Sequence, residues 1–158
     1  MAHITIEYMI LIPVLILQIF LLPYAAGIVM SYWTTSTDTI ALNDARIHLG
    51  SSIEQLYFFL NNPSVSSGTV TDVLGISPYI GNYPYIGNAT LVSVSGSGSG
   101  EVLELTLSLV GARISTTAPV TLGQNAHWVN STFMSNSTSA CITAYKDSNN
   151  TIWLSFST

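Results

Sequence analysis

The chain reads as an α+β fold: a long N-terminal α-helix, apolar in its first half and amphipathic in its second, then a small antiparallel β-sandwich or meander. Three observations predict this. From Tyr8 to Trp33 no side chain other than tyrosine can ionise. Leu42, Ala45, Leu49, Ile53, Leu56 and Leu60 recur at steps of three and four, the period of one helical stripe. After Pro63 that period gives way to short β-branched runs separated by turn formers. The organisation expected is a helix over residues 1–62, with 8–33 as an assembly core or transient membrane span and 40–60 as the part packed on the β domain. Residues 63–158 form the β-rich surface domain.

As a helix rising ~1.5 Å per residue, the run from Tyr8 to Trp33 is about 39 Å long, enough to cross a bilayer core with tilt. Such a rod has three fates: a lipid span, a cleaved export signal with Ala25-Ala-Gly27 as its cleavage site, or the core of a helical assembly. Pro13 and Pro23 interrupt it. Each removes a backbone donor, frees the carbonyl of Met9 or Ile19, and is expected to kink or loosen the helix there. One carboxylate, Glu7, stands just ahead of the run, with no Lys or Arg near it. At a water interface it stays solvated; in a dry helical core it needs a positive or hydrogen-bonding partner.

Thr34-Thr-Ser-Thr-Asp-Thr39 is polar but lacks Gly and Pro, so nothing forces the helix to stop, although Ser36 or Asp38 could cap a second one. Beyond it lies the Leu42–Leu60 stripe, with Ile40, Ile47 and Phe58 as a thinner stripe on the far side. That second stripe is either contact surface for a neighbouring subunit or scattered exposed apolar residues. Asn61-Asn-Pro63 ends the helix, because the residue before proline is pushed out of the α region.

Strands are expected at 90–95, 101–109, 113–117, 120–122, 128–134, 140–146 and 151–157. Leu103, Leu105, Leu107 and Leu109 alternate with polar residues, the mark of a half-buried strand. Gly96–Gly100 is a flexible loop making 90–95 and 101–109 a hairpin, and Asp147–Asn150 turns between the last two strands. Pro78-Tyr-Ile-Gly-Asn82 recurs as Pro84-Tyr-Ile-Gly-Asn88. It reads as two successive turns presenting Tyr79, Tyr83 and Tyr85, either as a structural loop or as an aromatic patch for contact.

The composition excludes several functions. Charged residues are only 7% and Lys plus Arg number 3 at a net charge of −5, so no basic patch can neutralise phosphates and nucleic acid is not an expected partner. Ser, Thr, Asn and Gly cover the surface instead, which suits sugar decoration or subunit packing. Cys141 is the single cysteine, which forbids an intrachain disulfide or a thiolate metal cluster; it reads as a small buried hydrophobe on a strand. His3, His48 and His127 form no ligand pair. Glu101 and Glu104, three apart on a strand, point to opposite faces. No nucleophile, phosphate-loop or metalloprotease motif occurs. The expectation is no enzyme, no cofactor and no metal.

His3, Thr5, Glu7, Tyr8 and the apolar run from Met9, with Ala2 just before them, resemble the N-terminus of archaeal type IV pilins and the related archaellins. In that family a class III signal peptide is cut just before a segment with Ser or Thr third and Glu fifth. The resemblance covers roughly the first thirty residues; His3 stands where the family has Gln, and Met1 and Ala2 precede it without Lys or Arg. It implies processing between Ala2 and His3 by a prepilin peptidase, and a homopolymer built through the N-terminal helix. It implies Glu7 answered by the amino terminus of an adjacent subunit, and an assembly ATPase and membrane platform to extract the helix from the plasma membrane. The function so expected is a structural subunit of a cell-surface, extracellular filament serving adhesion. The alternative is a non-polymerising, membrane-anchored minor pilin-like protein. Four glycosylation sequons begin at Asn88, Asn130, Asn136 and Asn149, all after the apolar segment, on the side that would be exported.

Overall fold

The computed structural model describes residues 2–93 and 101–157. It is an α+β fold: one long helix followed by two four-stranded sheets. The chain divides into two compact units, Met1–Thr37 and Asp38–Thr158.

Helix α1 runs unbroken from Ala2 to Asn61, through both Pro13 and Pro23. No second helix starts at Ser36 or Asp38. The hydroxyls of Thr34, Thr35 and Thr37 donate to the carbonyls of Met30, Ser31 and Trp33 at 2.9, 2.9 and 3.0 Å. Each binds a carbonyl four residues back, so these residues line the helix and do not cap a new one. The helix stops before Pro63, as the sequence predicts, and Asn62 Oδ1 then accepts from the Ser64 amide at 2.9 Å.

In the second unit the predicted stripe is the core. Leu42, Leu49, Ile53, Leu56 and Leu60 are buried and Ala45 partly so, in one cluster with Leu103, Leu105, Leu107 and Leu109. Ile40, Ile47 and Phe58 are exposed on the other side. At ~25 cal/mol per Å² of apolar surface removed from water, each fully buried Leu or Ile contributes about 1.5–3 kcal/mol.

The strands are β1 Gly68–Val73, β2 Tyr85–Ser93, β3 Glu101–Leu109, β4 Ser115–Thr121, β5 Ala126–Trp128, β6 Thr132–Met134, β7 Cys141–Lys146 and β8 Ile152–Ser157. One sheet has the order β1-β7-β8-β5 and the other β4-β3-β2-β6. The β2–β3 hairpin and the β7–β8 pair are antiparallel, as expected; the Gly96–Gly100 loop lies outside the described residues. Asn150 closes the β7–β8 turn at φ 62°, a left-handed conformation that Asn tolerates.

Several strand expectations are corrected. β1 was not anticipated: it is an edge strand of Thr and Val whose place depends on its pairing with β7. The stretches expected at 113–117 and 120–122 belong to one strand, β4 Ser115–Thr121, because β4 is an edge strand and Pro119 has no ladder bond to break there. Residues 128–134 are not one strand either. β5 pairs with β8, in parallel, and β6 pairs with β2 in the opposite sheet, so the chain changes sheet between Trp128 and Thr132. Cys141 is on a strand but only partly buried.

The repeat is not repeated in structure. The first copy turns, with Gly81 at φ 58° and Ile80 bridged to Tyr83. The second copy is the start of β2. Tyr79 and Tyr83 are exposed, while Tyr85 is fully buried, its amide donating to Ser135 Oγ at 2.9 Å and its hydroxyl donating to the Ser77 carbonyl at 2.8 Å. Gly87 explains the difference: a Cβ there would overlap the Phe133 ring, so this glycine serves close packing in a sheet.

Polar ties fix the end of the helix. Tyr57 donates to Asn125 Oδ1 at 2.7 Å, and Asn125 Nδ2 donates to Asn61 Oδ1 at 2.9 Å and the Asn150 carbonyl at 2.8 Å. Lys146, which points inward from β7 and is buried, donates from Nζ to the carbonyls of Asn62 and Val65, each at 2.9 Å.

Candidate assembly surface

From Leu11 to Thr37 every residue of α1 is exposed in the isolated chain. Phe20 is 72% exposed and Trp33 72%. Apolar side chains occupy all sides of the rod, which is what a helix surrounded by lipid or by other helices requires; a helix packed on one core needs only a stripe. Two open concavities lie on this surface. One flanks Pro13 and is lined by Ile16, Leu17, Phe20, Leu21 and Tyr24; the other flanks Pro23, with Gly27, Ile28, Ser31 and Tyr32. The first offers aliphatic and aromatic groups only, and Gly27 opens the second, since nothing lies within 4 Å of the position its Cβ would take. Both are shapes into which side chains of another helix can insert.

By length and composition α1 is able to cross a membrane. Tyr32 and Trp33 close the apolar run, the residue types that favour a membrane–water boundary. Ala2, His3 and Glu7 fall on the first turns of α1, but their side chains lie outside the described residues.

The four sequon asparagines are all exposed. Asn88 is on β2, between Thr106 and Thr132 of its neighbours; Asn130 lies in the crossing between sheets, Asn136 follows β6 and Asn149 is in the β7–β8 turn.

Among the described residues no three His, Cys, Asp or Glu side chains converge to hold a metal ion. His127 takes a role that sequence reading missed, stacking on Trp153 with ring centroids 4.7 Å apart and planes 27° from parallel. Only the β5–β8 register brings these residues together, so no local signal reveals the pair. No protein-family model, curated protein or solved structure matches the chain.

Proposed function

We propose that the chain is a structural subunit of an archaeal type IV pilus-like filament, non-enzymatic and adhesive, polymerising through the apolar half of α1. The supporting observation is the contrast between the two units. Asp38–Thr158 has a closed core of its own, whereas the rod in Met1–Thr37 exposes apolar groups on every side. Packing that rod among identical rods withdraws its surface from water at ~25 cal/mol per Å². Lipid offers the same shelter before assembly, so leaving the plasma membrane has no hydrophobic driving force, and the reading requires a peptidase, an ATPase and a platform.

Glu7 is the assembly residue in this reading, paired with a neighbour's amino terminus. Its test is Glu7→Ala in cells: export and folding persist, and filaments disappear. Normal filaments from that variant overturn the role. The all-round apolar surface equally suits permanent residence in lipid, which keeps the membrane-anchored, non-polymerising reading as the alternative. Negative-stain images of purified protein separate them as fibres or single particles.

A further inference from the structure

The outward face of the β1-β7-β8-β5 sheet carries an aromatic row. Register places Thr69 beside Tyr145, Tyr145 beside Trp153 and Trp153 beside His127, one residue from each strand in line. Alternation turns Ala144, Lys146, Ile152, Leu154, Ala126 and Trp128 inward. Tyr145 and Trp153 remain 44% and 43% exposed, and the His127 stack fixes the plane of the indole. The next outward row is hydroxyl on β1, β7 and β8, Thr71–Thr143–Ser155, and ends on the exposed Val129 just past β5.

Chemistry narrows the ligand. Neither row contains Asp, Glu, Lys or Arg. Of the three basic residues, Lys146 is buried and Arg46 belongs to α1, where it bonds Asn43; Arg113 lies between β3 and β4, in the other sheet's connections. An anionic polymer therefore meets no counter-charge. A purely apolar partner would strand the hydroxyl row without hydrogen bonds. A molecule with flat C–H faces and many hydroxyls satisfies both rows, because the negative faces of aromatic rings attract positively polarised C–H groups. Tyr145 to His127 spans two strand spacings, ~10 Å, which is longer than a single sugar needs.

We propose that this face binds an uncharged oligosaccharide, its rings lying along Tyr145, Trp153 and His127 and its hydroxyls over Thr71, Thr143 and Ser155. The site belongs to one chain, so it operates whether or not the chain polymerises, and its failure leaves the filament reading untouched.

The test is titration of the full chain, held in a detergent without a sugar headgroup, with cellohexaose, mannohexaose and chitohexaose. Indole fluorescence and the Trp Nε1–H NMR signals report binding, and an oligogalacturonate serves as the acidic comparison. The expected result is saturable binding of at least one neutral hexasaccharide, stronger than the acidic one. Binding weakens about tenfold or more in Trp153→Ala and survives in Phe58→Ala. Should Trp153→Ala fail to fold, His127→Ala, which removes only the exposed stacking partner, must weaken binding in its place. The proposal is overturned if no neutral hexasaccharide binds, if the ring-removing variants bind as tightly as the native chain, or if the row is covered by a second copy in solution.

Discussion

Lys146 Nζ sits 2.9 Å from the Asn62 carbonyl, immediately beyond the last turn of α1. The same ammonium reaches the Val65 carbonyl. One buried cation on β7 thus satisfies two backbone acceptors where the chain leaves the helix, and it complements the negative end of the helix dipole. Removing it takes the ammonium donor from both carbonyls, although the Asn62 carbonyl keeps the Val65 amide at 3.1 Å. Lys146→Ala is expected to cost about 2–4 kcal/mol, measured by urea unfolding of the full chain. Lys146→Met, which keeps the apolar stem, is expected to cost less. A loss below ~0.5 kcal/mol, typical of a neutral surface substitution, would contradict the role.

The two faces of α1 within the second unit separate by stability. Ile53 is 0% exposed and Ile47 is 52% exposed. Ile53→Ala should destabilise by about 2–5 kcal/mol through lost burial and cavity formation, and Ile47→Ala by at most ~0.5 kcal/mol. Thermal unfolding by circular dichroism measures both. Equal effects would mean that Ile47 is covered within the single chain.

The two glycines of the repeat should fail differently. Gly81 needs a left-handed backbone, which Asn tolerates. Gly87 has ordinary strand geometry and no room, because its added Cβ meets Phe133. Gly87→Ala should cost about 1–3 kcal/mol by overpacking, more than Gly81→Asn. The reverse order in denaturant midpoints would contradict the close approach of Gly87 to the Phe133 ring.

Burial pushes the Tyr85 hydroxyl up to about 12 from its ordinary value of 10.0. Between those values the folded chain holds the proton that the unfolded chain has lost. Stability is therefore unaffected by this group below pH ~10 and falls as pH rises toward ~12. Tyr85→Phe should be less stable at neutral pH, having lost the bond to Ser77, but should show a shallower alkaline decline. An identical alkaline slope in both proteins would remove Tyr85 as its source.

These residues show what a sequence reveals. The buried stripe from Leu42 to Leu60 was legible because a helix writes its burial into a local period, and β3 because Leu103 to Leu109 alternate at period two. The start of β2 at Tyr85 was not legible: its residues spell the same words as the turn before it, and only pairing with β3 and β6 makes them a strand. β1 and the change of sheet between Trp128 and Thr132 were hidden for the same reason, since both depend on partners distant in sequence. The apolar rod was plain in the uncharged run to Trp33, and because its residues are exposed on every side they leave no one-sided period to read.

The most direct measurement is a helical reconstruction by electron microscopy of native material, resolved well enough to place residues 9–33. The filament account predicts these helices packed against one another along a central axis, with Asp38–Thr158 outside and Glu7 beside a neighbouring amino terminus. Single chains whose apolar rods are surrounded by lipid or detergent, touching no sister chain, would contradict it.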